Sequence, residues 1–142
     1  MAEKKKLRLK IITPTKVKVD EDVDMVIMRC VNGDMGVLPG HEPRSAVLSY
    51  NALRMLDGGT ERRIAVYGGL AVIENDLLSV LTRDAEWPEE IDLAKARADR
   101  EHAEQRLREQ EDDMEIQNDQ VLLRRALVQI EVSSYTLTQG DE

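Results

Sequence analysis

The sequence predicts a β + α chain: an N-terminal antiparallel β-sandwich or flattened barrel over residues 1–87, followed by a C-terminal antiparallel α-helical hairpin over 88–142. Three observations predict it. Short runs with period-two alternation and intervening turn residues continue to about Arg83, as half-buried strands require. At Trp87-Pro88 the period changes to the 3.6-residue repeat of helices. Charge shifts with it: residues 1–90 carry 13 Lys/Arg and 15 Asp/Glu, whereas 91–142 carry 7 and 13, so most of the net −8 lies in the last third.

The strands follow in order. Leu7, Leu9 and Ile11 alternate with Arg8 and Lys10; Val17 and Val19 alternate with Lys16 and Lys18; Val23, Met25 and Ile27 share one side of a third run. Ala52 to Leu56 leads into Asp57-Gly58-Gly59, whose glycines permit the positive φ of a tight hairpin. Ile64 and Val66, then Leu70 to Ile73, continue the series up to the turn signal Glu74-Asn75-Asp76. Leu78, Val80 and Thr82 alternate with Leu77, Ser79 and Leu81 after it. Gly68-Gly69 sits among strands, so a bulge or close backbone contact is expected.

Pro88 suits a helix start and Glu89, Glu90 and Asp92 suit its positive end. A first helix is expected from Ile91 to about Gln110, with Leu93, Ala96, Ala103 and Leu107 on one stripe. Lys95/Asp99, Arg97/Glu101, Arg100/Glu104 and Glu104/Arg108 stand four apart on its outer side, each pair worth a few tenths of a kcal/mol. Glu111-Asp112-Asp113 crowds like charges and favours a turn. A second helix is expected from about Ile116 to Val132, with Leu123, Ala126, Leu127 and Ile130 facing the first. Val121, Val128 and Val132 lie off that stripe and need another surface: the sandwich, or a partner when the hairpin opens.

Composition removes several function classes. With no Phe, one Trp and three Tyr, the core is aliphatic. Cys30 is the only cysteine, which excludes an intramolecular disulfide or a cysteine-rich zinc site and fits a reducing compartment. An acidic chain poor in aromatics is unsuited to nucleic acid. No window reaches the roughly 18 apolar residues of a membrane span, and the charged N-terminus is no signal peptide, so membrane association is expected only through partners.

Val31 to Ser45, VNGDMGVLPGHEPRS, concentrates three glycines and two prolines around His41. It is no phosphate loop, because Gly40 is followed by His41-Glu42-Pro43 rather than Lys-Ser/Thr. Adjacent His41 and Glu42 point apart in an extended segment, and no nucleophile is placed beside them. A rigid turn with projecting polar residues suits docking.

These residues resemble the epsilon subunit of the rotary F-type ATP synthase. Gly33-x-x-Gly36-x-Leu38-Pro39-Gly40-His41-x-Pro43 is similar to that family's most recognisable loop, and Tyr67-Gly68-Gly69-Leu70, Asn75, Leu81 and Asp84-Ala85-Glu86 to its second block. Arg125-Ala126-Leu127-x-x-Ile130 resembles its helical tail, and the whole match runs from about Leu7 to Tyr135. The resemblance implies a non-catalytic rotor subunit bound to the gamma subunit and to the ring of c subunits. Asp34 and His41 would face that ring. It implies a peripheral place on the cytoplasmic face of a bacterial plasma membrane, or its organelle equivalent. The hairpin would lie against the sandwich or extend toward the catalytic alpha/beta head and block hydrolysis.

Family members that sense ATP carry Ile/Leu-Asp-x-x-Arg-Ala. Here Ile91, Asp92 and Ala96 match, Lys95 replaces the arginine, and of the second-helix arginines only Arg125 matches; Asn118 and Gln129 stand at the others. ATP contact is therefore expected to be weak or absent, and no cofactor is expected. The alternative outside this family is a free-standing adaptor whose sandwich binds a partner and whose hairpin dimerises.

Overall fold

The computed structural model describes residues 5–109 and 111–140, with side chains through Thr136. Its strands are β1 (Leu7–Ile12), β2 (Val17–Val23), β3 (Met25–Cys30), β4 (Gly33–Val37), β5 (Arg44–Asp57), β6 (Thr60–Glu74), β7 (Leu77–Leu81) and β8 (Ala85–Glu86). They form one folded sheet in the order β2-β1-β7-β6-β5-β3-β4, with β8 also on β6. Every pairing is antiparallel except β1 with β7. The alternation predicted for the first strand is realised: Leu7, Leu9 and Ile11 are fully buried, and with Val26, Leu53, Ile64 and Leu78 they belong to one aliphatic core.

Two-residue turns set the hairpins. Gly58 and Gly59 have φ of 60° and 79°, and Asn75 and Asp76 of 52° and 60°. Two successive positive values match the right-handed twist of the flanking strands. Gly68 and Gly69 lie where β6 changes neighbours, pairing with β8 at Ala65 and Val66 and with β7 from Leu70 onward. The expected close contact is there: a Cβ on Gly69 would come within 2.1 Å of the Leu81 carbonyl oxygen.

Two further features were not legible as elements. The Val31–Ser45 stretch is only partly a loop, since Gly33–Val37 is strand β4, paired with β3 from Cys30↔Gly33 to Val26↔Val37. Ser49-Tyr50-Asn51 lies inside β5 at an irregularity, where three steps along β3 are matched by six along β5. Asn51 fills the gap, accepting from the Arg29 amide at 3.1 Å and donating to the Ser49 carbonyl at 2.8 Å.

A 3₁₀ turn (Pro88–Glu90) leads to α1 (Leu93–Glu109) and α2 (Asp113–Gly140). The first helix starts later than expected because Asp92 is its cap, taking the Lys95 amide on Oδ1 at 3.1 Å. Its expected end at Gln110 falls outside the described residues. The second helix is longer at both ends than expected. The acidic cluster turns the chain as expected, with Glu111 and Asp112 in the connection between the helices, and it also starts the second helix: Asp112 Oδ1 accepts from the Met114 amide at 2.9 Å, and carboxylates stabilise a helix N-terminus. Past Val132 the helix continues because the sandwich holds it. Tyr135 donates to the Glu61 carbonyl at 3.1 Å and lies under Arg63, 4.1 Å from ring to guanidinium.

The hairpin lies on the sandwich. Val128 and Val132 are buried with Ala65 and Tyr67, with Tyr50, Ala52 and Ile91 packed around them. Burial of a valine side chain is worth roughly 1.5–3 kcal/mol as an upper bound. The opposite side of α2, about 160° round the helix, carries buried Ala126; α1 buries Ala96 and Ala103, and small residues let the two helices approach closely. Leu127 corrects the sequence assignment: it is 42% exposed, as Val121 is at 44%, while Leu123 and Ile130 are half-buried. It lies about 100° from both buried faces, so neither the first helix nor the sandwich covers it.

Candidate functional site

The end of the sandwich that carries the predicted docking residues is built on a turn. Pro39 and Gly40 occupy its centre, closed by a hydrogen bond from the His41 amide to the Leu38 carbonyl at 3.2 Å. Gly40 has φ of 85°, the position of a type II turn that glycine fills without strain. The Gly40 amide donates to Asp76 Oδ1 at 2.6 Å, across 36 residues of sequence, and Lys5 pairs with the other Asp76 oxygen at 2.9 Å. The Gly40 amide and then Lys5 hold the Asp76 carboxyl below its ordinary pKa. The turn is thereby fastened to the β6–β7 connection.

Asp34 sits on strand β4, where it pairs across to Arg29 Nε at 3.1 Å. Nevertheless Gly33, Asp34, Gly36 and His41 line one cleft, beside Arg44 and Ser45. His41 Nδ1 donates to the Glu42 carbonyl at 2.8 Å. Leu38 is 53% and Val31 60% exposed at this end, and Pro43 is exposed as well. Pro39 is half-buried.

A second cluster joins the sandwich to α2. Arg125 reaches Asp84 at 2.9 Å and Glu86 at 3.0 Å, and its guanidinium stands 3.9 Å from the Tyr67 ring centre. Tyr67 donates its hydroxyl to Glu86 at 2.5 Å, and Gln129 donates to the same oxygen at 3.1 Å. Burial and then the Glu86 carboxylate push the Tyr67 phenol well above its ordinary pKa. Burial works against the Arg125 charge, but Asp84 and then Tyr67 and Glu86 outweigh it and raise its pKa.

The residues matching the nucleotide-sensing motif are occupied internally. Ile91 packs against the cluster of Ala65, Tyr67, Val128 and Val132, Asp92 caps α1, Ala96 is 1% exposed, and Lys95 pairs with Asp99 at 2.9 Å. Arg125 belongs to the cluster just described. Among the described residues no group of three metal-ligating side chains converges, and no helix is long and apolar enough to cross a membrane.

Sequence reasoning missed Asp76 as the partner of Gly40 and took it only as a turn residue. It noted Tyr67 and Glu86 inside motifs without joining them, and counted Gln129 only as a lost arginine. The signals were present in part, since a buried tyrosine needs a partner for its hydroxyl.

Comparison with known proteins gives the same account over nearly the whole chain. Residues 6–88 match the family of the ATP synthase delta/epsilon chain beta-sandwich domain, and residues 89–134 that of the delta/epsilon chain long alpha-helix domain. The ATP synthase epsilon chain of Syntrophobacter fumaroxidans is 40% identical over 136 residues, covering 96% of this chain and all of that one. That of Bacillus licheniformis is 36% identical over 129 residues, covering 91% and 98%. In fold, the chain resembles a subunit in the Euglena gracilis mitochondrial ATP synthase structure of OSCP, F1 and c-ring, with a TM-score of 0.77 and 24% identity over 93% of this chain and 81% of the other. A chain of the Tetrahymena thermophila mitochondrial ATP synthase central stalk and c-ring is more distant, with a TM-score of 0.53 and 16% identity over 69% and 75%. The chain belongs to the epsilon chain family of the ATP synthase, whose members are accessory subunits of a complex that keeps its catalysis in other subunits.

Proposed function

We propose that this chain is a central-stalk rotor subunit of a proton-translocating ATP synthase, joining the c-ring to gamma. In this reading residues 1–87 form the coupling domain and 88–142 the regulatory hairpin. The docking end comprises Gly33, Asp34, Gly36, Leu38, Pro39, Gly40, His41 and Pro43, and it meets the polar loops of the ring. The observation that carries the reading is the tie between Gly40 and Asp76 at 2.6 Å, because a turn that transmits torque must not swing independently of its sheet. The resolved solved-structure likenesses, from complexes described as containing the c-ring and central stalk, support it. The protein would be peripheral on the cytoplasmic face, held to the membrane by its partners alone.

The hairpin here is in its lowered position. Extending it toward the catalytic head would break the Arg125 cluster and uncover Val128 and Val132, which then become available to the alpha/beta subunits. Inhibition of hydrolysis follows from that exchange of apolar partners.

Copurification of tagged protein with gamma and the catalytic head, followed by ATP-driven proton pumping in reconstituted membranes, tests the proposal. Alanine at Asp34 and His41 together should reduce pumping while leaving the thermal transition of the isolated chain within about 0.5 kcal/mol, as for other exposed positions. Unaltered pumping in the double variant removes these residues from the interface, and failure to copurify with gamma refutes the assignment to the rotor.

A further inference from the structure

The wall between the sandwich and α2 encloses a cleft of about 300 Å³ lined by four guanidinium side chains: Arg29 of β3, Arg54 of β5, Arg63 of β6 and Arg124 of α2. Four arginines in one cleft contrast with a chain of formal net charge −8. Two carboxylates, Asp34 and Glu131, share the lining and are paired within it, Asp34 with Arg29 Nε at 3.1 Å and Glu131 with Arg63 at 3.5 Å. Glu61, which does not line the cleft, anchors Arg54 at 2.6 Å and Arg63 Nε at 2.8 Å. Burial opposes its ionisation, but the two guanidiniums outweigh that and lower its pKa. Each anchored guanidinium keeps N–H groups beyond those that Glu61 uses. Arg124 has no ion-pair partner among the described residues, and Tyr50 and Leu127 give the cleft an apolar margin.

We propose that this cleft binds a small, multiply charged oxyanion of the phosphate or pyrophosphate class. Guanidinium forks engage such oxygens in paired hydrogen bonds, and anchoring by Glu61 lowers the conformational entropy lost on binding. Arg125, Lys95 and the α1 cap lie outside the cleft, so it is separate from the nucleotide-sensing motif. The sandwich contributes three of the arginines and α2 the fourth, so the oxyanion binds more tightly while the hairpin is down and stabilises that position by linkage. The site does not depend on the rotor assignment.

Isothermal titration of the full chain with sodium pyrophosphate and with inorganic phosphate, at constant ionic strength, tests it. Saturable binding below roughly 10 mM is expected, tighter for pyrophosphate. Arg124→Gln should weaken it roughly ten- to hundredfold, and Arg29→Gln should weaken it as well. Arg97→Gln removes the same charge from the exposed side of α1 and should leave it unchanged. Arg124 is exposed, so its variant should keep the parent thermal transition. Pyrophosphate should also slow amide exchange in α2. Competition by millimolar Mg-ATP with the same Arg124 dependence identifies nucleotide phosphates as a source, and lack of competition identifies the free anion; both support the site. Absence of saturable binding, or equal weakening by the Arg124 and Arg97 substitutions, overturns it.

Discussion

The Asp76 carboxylate holds the Gly40 amide at 2.6 Å and so ties the docking turn to the far hairpin of the sandwich. Lys5 on the other oxygen completes the arrangement. Because the folded pKa of Asp76 is depressed, this contribution is present above the ordinary aspartate pKa and is lost as pH falls through the lowered value. The Gly40 amide resonance should therefore titrate in the acid range with a midpoint below that of an unpaired aspartate. In Asp76→Asn the titration should vanish while the thermal transition above neutral pH shifts little. A midpoint at or above the ordinary aspartate value contradicts the tie.

Gly40 and Gly69 both have positive φ, at 85° and 123°, yet they should respond differently to alanine. Around Gly40 no atom lies within 4 Å of an added Cβ, so Gly40→Ala carries only the backbone cost of about 1–2 kcal/mol. At Gly69 the new methyl collides with the Leu81 carbonyl oxygen, and the β6–β7 pairing must open. A loss of about 3 kcal/mol or more is expected, in the range reserved for severe backbone strain. Denaturant midpoints of the two variants check the order, and equal losses would show that β6 yields at its bend.

Much of this architecture was legible because it is local. Gly58-Gly59 announces its hairpin by composition, Gly68-Gly69 its close contact, and Trp87-Pro88 the change of period. Strand β4 was not legible, because only Val37 of its five residues is buried; as an edge strand it owes its form to pairing with β3. The helix start at Asp113 was masked by like charges that serve as a cap. The ties that matter most, Gly40 to Asp76 and Arg125 to Glu86, span 36 and 39 residues, and no periodicity records a contact across such separations.

The sandwich should fold without the hairpin. Its aliphatic core, including the partly buried Trp87, contains no residue of α1 or α2. A fragment ending after Glu90 should show a cooperative thermal transition, with Tyr67 and Ala65 newly exposed. The Tyr67 phenol is raised first by burial, so its titration, followed by ultraviolet difference absorbance, should move down toward the ordinary tyrosine value in the fragment. A molten fragment, or an unmoved tyrosine, would refute independent folding or the burial account respectively.

Arg125→Ala should loosen the hairpin without unfolding the sandwich. The pairs with Asp84 and Glu86 are partly exposed, with Arg125 at 35% and Asp84 at 50% side-chain exposure, which places their worth between surface and buried pairs. A loss of about 1–2 kcal/mol in hairpin docking is expected. Amide exchange should accelerate in α2 while β1, β6 and β7 stay protected; uniform acceleration would mean that the hairpin and sandwich unfold as one unit.

Mg-ATP should not bind the isolated chain at micromolar concentration, and the reason is the same cluster. Triphosphate recognition needs several cations converging, and the one arginine that matches the sensing pattern, Arg125, already satisfies Asp84 and Glu86. A nucleotide would have to displace both carboxylates from the guanidinium and leave Glu86, 20% exposed in its side chain, with only Tyr67 and Gln129 as donors. Removing one partner from a buried ionic contact costs more than the contact itself contributes. Lys95 brings a single ammonium in place of a planar fork, and Asp99 holds it at 2.9 Å. Glu86 thus takes the arginine that a phosphate would need, and the lowered hairpin is held by the chain's own carboxylates. Calorimetric titration with Mg-ATP should give no heat of binding in the micromolar range for the parent chain. Glu86→Gln combined with Asp84→Asn should release Arg125 and raise affinity measurably. Tight binding by the parent chain would sink this account, because it would require that the cluster open without cost.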